Sequence, residues 1–166
     1  MQTNKVGVVG AGAMGAGIAQ IASQAGHQVI LYDLSQSTLD ESALKLAKVM
    51  ARLVEKKRIT LEESTDIQGR IVRSTQIDLF EGCDLVIEAV VENLDVKHSV
   101  FKQVENIVSS DCIIASNTSS LSITSLAAGC NHPERVVGLH FFNPAPLMPL
   151  VEIVPAIQTY VDTPLH

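Results

Sequence analysis

The sequence predicts a doubly wound α/β domain, with a mostly parallel sheet and a helical excursion after its second strand. Three observations carry this expectation. Short β-branched runs alternate with longer segments of helical period, the pattern of βαβ units. The strand at 84–89 has a continuous apolar centre, as expected of a parallel strand buried on both faces. A glycine-rich turn joins the first strand to the first helix. In order, residues 5–9 read as the first strand. Met14, Ile18, Ile21, Ala22 and Ala25 follow at helical spacing, with Gly26 as a stop. Residues 28–32 are the second strand. A long helix places Leu39, Ala43, Leu46, Met50 and Leu53 on one face, and Thr60 to Glu63 resembles the capping box of a second, short helix. Strands are expected at 70–73, 84–89, 112–116 and 136–140, with helices at 95–108 and 122–128. A proline-rich turn at 143–149 leads to a last strand at 150–154.

The 166 residues suit one domain, 1–166, with a core of its own. A hydrophobic fraction of 46% and a charged fraction of 18% are globular values and argue against a disordered chain. Twelve basic against eighteen acidic residues give a net charge of −6, which speaks against nucleic acid or an anionic membrane as partner. No apolar run approaches the ~18 residues of a membrane span. The first nine residues carry no export signal. Cys83, Cys112 and Cys130, odd in number and irregularly spaced, fit reduced core thiols in a cytoplasmic protein. The histidines His27, His98 and His132 lack metal-ligand spacing, so no metal is expected.

Gly10-Ala11-Gly12-Ala13-Met14-Gly15 matches G-x-G-x-x-G in the required context, strand before and helix after. Gly10 permits the tight turn, Gly12 lets a pyrophosphate approach the backbone, and Gly15 lets the helix pack close to the strand. Asp33 ends the second strand, twenty-one residues beyond Gly12. A carboxylate there accepts hydrogen bonds from ribose hydroxyls and repels a 2′-phosphate, and Leu34 and Ser35 supply no cation to reverse that. The sheet is therefore expected to be of the Rossmann type and the cofactor NAD. The competing readings are a ligand-free glycine turn and a turn aspartate.

A second constellation joins His140, at the end of a predicted strand, to Glu152 across the proline-stiffened turn. A histidine held by a carboxylate suits proton removal from an alcohol, because the carboxylate fixes the tautomer and stabilises the imidazolium. By pattern alone a core histidine paired with a carboxylate is the competing reading.

At this point a resemblance enters. The segment Val8 to Gly15, Glu88-Ala-Val-Val-Glu92, Asn117-Thr-Ser-Ser-Leu121, the Gly-Leu-His-Phe-Phe-Asn-Pro run at 138–144 and Leu150-Val-Glu-Ile-Val154 resemble the NAD-binding domain of L-3-hydroxyacyl-CoA dehydrogenases. The bacterial 3-hydroxybutyryl-CoA and 3-hydroxyadipyl-CoA branches are the most similar. The resemblance implies that His140 is the catalytic base, Glu152 its partner, Ser119 a hydrogen-bond donor to the substrate oxygen, and Asn143 a residue lining the site. It implies that Glu92 and Lys97 contact the nicotinamide side of NAD. It further implies a coenzyme A groove along the long helix after the second strand, with Lys56 as a contact. In agreement, six of the twelve basic residues fall between Lys45 and Arg58. At ~100° per residue, Lys45, Lys48, Arg52 and Lys56 span an arc of about 80°, away from the apolar stripe. Such a stripe suits coenzyme A phosphates; an ordinary solvated helix face is the alternative.

The expected activity is NAD-dependent oxidation of an acyl-CoA 3-hydroxyl to a ketone. Two alternatives stay open: a related dehydrogenase of a sugar acid or carnitine, and a nucleotide-binding module without turnover. The second arises because the family carries a helical domain after this one, completing the acyl site and forming a homodimer, whereas this chain stops at His166.

Overall fold

The computed structural model describes residues 4–160. Residues 1–3, part of the stretch expected to carry no export signal, and residues 161–166 lie outside the described residues.

Seven strands form one sheet in the order β3-β2-β1-β4-β5-β6-β7. They are β1 (Lys5–Val9), β2 (Gln28–Tyr32), β3 (Ile71–Ser74), β4 (Leu85–Glu88), β5 (Ile113–Ser116), β6 (Val136–Phe141) and β7 (Val151–Pro155). Neighbours pair in parallel except β7, which returns antiparallel on β6. The strand order reverses between β1 and β4, so this is the Rossmann topology expected from the sequence, and the crevice at that reversal is where such sheets bind ligands. Connecting helices are α1 (Ala13–Gln24), α2 (Gln36–Glu55), α3 (Leu61–Gly69), α4 (Leu94–Glu105) and α5 (Ile123–Ala127). The helical excursion after the second strand is α2 with α3.

Alternation along the strands divides the core into two layers. Val6 and Val8 of β1 and Val29 and Leu31 of β2 pack with Ile18, Leu39, Leu46 and Met50 from α1 and α2. Val9, Ile30 and Tyr32 face the other way, against Phe80, Phe101, Val104 and Leu126. A strand buried on both faces must be apolar at every position, which is why these runs are short and continuous.

The capping box of α3 is present: Thr60 Oγ1 accepts from the Glu63 N–H, and the Glu63 carboxylate accepts from the Thr60 N–H at 2.7 Å. The end of α2 was not legible. There the Arg58 N–H reaches the Leu53 carbonyl and the Lys57 N–H reaches that of Val54, both at 2.9 Å. This closure places Lys57 at φ 55°, a left-handed conformation that glycine adopts without cost. Lys57→Gly is expected to raise unfolding stability by about 0.5–1 kcal/mol in urea titration, the relieved Cβ strain exceeding glycine's added chain entropy. A loss of stability would mean that Lys57's side chain matters more than its backbone.

Candidate active site

The glycine turn lies at the carboxyl end of β1. Gly10 has φ 100°, and a Cβ there would sit 2.8 Å from the Ala89 carbonyl oxygen. A Cβ on Gly15 would lie 1.8 Å from the Gly10 carbonyl oxygen, so α1 packs against the turn at a distance that only glycine allows. A Cβ on Gly12 would meet nothing within 4 Å, because this glycine faces open space. Gly12 is also the N-cap of α1 and supplies no side-chain cap, and the first turn carries no acidic residue. The first N–H groups of α1, beginning at Ala13 and Met14, thus point out of the helix with its positive dipole end and no side-chain acceptor from the cap. That is the arrangement a phosphate completes.

Asp33 follows β2, half-buried. Its Oδ2 accepts from the Ala11 N–H at 2.8 Å and its Oδ1 from the Ser35 N–H at 2.9 Å. The carboxylate therefore ties the glycine turn to the end of β2, a role the spacing did not disclose. Each oxygen retains a lone pair for ribose hydroxyls.

His140 and Glu152 are cross-strand partners in the β6–β7 ladder. The side chains meet, with Nδ1 and Oε2 2.8 Å apart. An ionised Glu152 accepts from Nδ1–H, which leaves the Nε2 lone pair free as a base. The imidazole is 21% exposed and Glu152 52%, so the pair opens to solvent rather than being a sealed core contact. Phe142 lies against the imidazole with centroids 4.7 Å apart. Asn117, beyond β5, accepts from the Phe141 N–H through Oδ1 at 2.9 Å and so pins the strand next to His140. The turn to β7 holds buried Ala145, and both Ala145 and Pro146 sit close over Gly17 of α1. The turn that joins His140 to Glu152 thereby packs on the helix that follows the glycine turn. The sequence marked this turn only as stiff.

Ser119 is exposed in the loop after β5, and Asn143 is exposed after β6, at a cis bond to Pro144. Both stand at the carboxyl edge with His140. Glu92 and Lys97 flank the loop after β4. Burial alone would raise the Glu92 pKa, but hydrogen bonds from Thr118 and Ser120 and the Lys97 ammonium outweigh it and hold the carboxyl at about 2. Lys97 is fully buried, with its ammonium on Glu88 and Glu92. Lys48 and Arg52 lie on the exposed face of α2 and Lys56 at its C-cap; none of the three shares a hydrogen bond or ion pair with the His140–Glu152 pair among the described residues. Burial pushes the thiols of Cys83, Cys112 and Cys130 up to about 11, 12 and 12; the first two lie in the core, whereas Cys130 is only partly buried against it. Among the described residues there is no metal-ligating cluster, and no helix is long and apolar enough to cross a membrane.

Strand order, glycine turn and Asp33 together define a class, the α/β dinucleotide-binding domain. Known proteins narrow it. A model described as 3-hydroxyacyl-CoA dehydrogenase, NAD binding domain, matches residues 5–164. A probable 3-hydroxybutyryl-CoA dehydrogenase of Deinococcus radiodurans is 45% identical over 159 residues, which are 96% of this chain and 57% of that protein. The 3-hydroxyadipyl-CoA dehydrogenase of Escherichia coli is 43% identical over 157 residues, 95% of this chain and 33% of its own length. The crystal structure of (S)-3-hydroxybutyryl-CoA dehydrogenase from Ralstonia eutropha superposes with a TM-score of 0.94 at 42% identity, covering 98% of this chain and 57% of that one. The chain belongs to the NAD-binding-domain family of the 3-hydroxyacyl-CoA dehydrogenases. It spans a little over half the length of the Deinococcus relative. The open face at Gly12, the uncapped α1 terminus and Asp33 all fit NAD.

Proposed function

We propose that this chain is the cofactor-binding and proton-transferring part of an enzyme that reversibly oxidises the 3-hydroxyl of an acyl-CoA to a ketone, in fatty-acid or related acyl-CoA metabolism. The observation that carries this reading is the His140–Glu152 pair, 2.8 Å apart, open to solvent and joined by a turn that packs on α1, the helix after the glycine turn. When bound, NAD supplies the acceptor for the hydride leaving C3. His140 Nε2 takes the hydroxyl proton, and Glu152 stabilises the imidazolium that results. Ser119 donates to the substrate oxygen, and Asn143 lines the site. Glu92 and Lys97 serve the nicotinamide side, Lys97 with its ammonium on Glu92. Lys48, Arg52 and Lys56 offer their charges to coenzyme A phosphates by Coulomb attraction.

The surface near the site supports a further partner. Leu147, Leu150, Val151, Ile153, Val154 and Ile157 are exposed, Ile157 at 89%. A sheet-edge strand with this many exposed apolar side chains is usually covered. We assign its cover to the helical domain of the family, through which the whole protein forms a homodimer in the cytoplasm.

The experiment is NADH oxidation by the whole protein, with its helical domain, on a panel of acetoacetyl-CoA, 3-dehydro-L-gulonate and 3-dehydrocarnitine. Turnover with acetoacetyl-CoA alone is the expected result. Preference for the sugar-acid or carnitine ketone would overturn the acyl-CoA reading. NADH binding without turnover of any of the three would assign this chain a binding role only.

A further inference from the structure

Beneath the loop after β4 lies a cluster of charges that the proposed proton transfer does not use. Glu88, the last residue of β4, and Lys97, on α4, are each 1% exposed. A buried charge is costly unless it is fully matched, and these are. Glu88 Oε1 accepts from Lys97 Nζ at 2.7 Å and from the Val90 N–H at 2.6 Å, while its Oε2 accepts from Ser116 Oγ at 2.7 Å. The ammonium also pairs with Glu92 Oε2 at 3.2 Å and reaches the Val90 carbonyl at 3.5 Å. Its charge is therefore matched within the protein. Glu92 is the member that reaches the surface, its side chain 39% exposed. Its second oxygen accepts from Thr118 and from Ser120, the latter at 2.9 Å. The result is a closed ring across the carboxyl ends of β4 and β5. It sits beside the crevice, because Glu88 is the register partner of Val9 on β1 and of Ser116 on β5.

We infer that Glu88 is a positioning residue for dinucleotide binding: through Lys97 it locks the Glu92 carboxylate in one orientation at the crevice, so that Glu92 meets the nicotinamide half of the cofactor. The inference rests on the NAD reading. A carboxylate on an exposed loop would otherwise have to be ordered at the moment of binding, and the ring orders it at folding. The adenosine half, held by Asp33 and the α1 terminus, lies outside the ring's reach.

The test is calorimetric titration of the full chain with NADH and, separately, with ADP, which carries only the adenosine half. Glu88→Gln and Glu92→Gln are each expected to weaken NADH by about tenfold and to leave ADP within about twofold. The double variant is expected to bind NADH no more weakly than Glu92→Gln alone, because both changes break one path. Since Glu88→Gln leaves an unmatched buried ammonium, Glu88→Gln/Lys97→Met, which removes both charges, is the folding-competent control and is expected to show the same NADH loss. Unchanged NADH affinity in that control overturns the positioning role. So does a multiplicative loss of about a hundredfold in the Glu88→Gln/Glu92→Gln double, or equal weakening of NADH and ADP. A wild-type chain that binds neither ligand overturns the NAD reading itself.

Discussion

With acetoacetyl-CoA and NADH as substrates, His140→Gln is expected to lower kcat by about 10²–10⁴-fold, the range for loss of a positioned acid–base group. In this direction the imidazolium donates the proton that the new hydroxyl needs, and glutamine cannot. NADH affinity should be little changed, because no hydrogen bond of the glycine turn or Asp33 involves His140. Glu152→Gln should act in the same direction: the imidazole keeps a neighbour 2.8 Å away but loses the charge that stabilises its protonated form. Steady-state rates at saturating substrate check both. A near-normal kcat in His140→Gln would remove the base assignment.

Gly15→Ala is expected to have the largest effect on the fold of the cofactor loop. The added Cβ would lie 1.8 Å from the Gly10 carbonyl oxygen, well inside van der Waals contact, and the atom it meets is backbone. Either α1 moves away from β1 or the turn changes shape. The former opens the layer that Ile18 and Val8 close, and the latter displaces the N–H groups offered to phosphate. Over-packing of this kind costs about 3 kcal/mol at the upper end of its usual range. A urea titration should show that loss, and NADH affinity should fall by at least about tenfold. A variant with normal stability and normal affinity would mean that the helix does not need its close approach.

Much of this was legible because the signals are local. Strand runs, helical periods and the glycine turn each reflect constraints within a few residues, and the Rossmann order followed from them. The His140–Glu152 pair was legible for a related reason: a short proline-rich turn between two strands almost forces their cross-strand contact. What was hidden depends on partners distant in sequence. Asp33 was read as a ribose ligand, yet its carboxylate also holds the Ala11 N–H, a contact across twenty-two positions. Lys97 enters as a cofactor contact only through the family resemblance. Its burial follows from Glu88, nine residues earlier, which carries a charge at the end of an otherwise apolar strand. That lone acid in an apolar run was the available signal. The hold of Asn117 on the Phe141 N–H joins two strands through a side chain and leaves no mark in periodicity.

The central claim is that the Gly10–Gly15 turn and Asp33 make this chain a receiver of NAD. Paired calorimetric titrations with NADH and NADPH test it most directly. Saturable one-to-one binding of NADH is expected, and binding of NADPH weaker by at least about tenfold, since a 2′-phosphate would meet the Asp33 carboxylate while Leu34 and Ser35 supply no cation. Equal affinity for the two, or no binding of NADH by a folded chain, would contradict it.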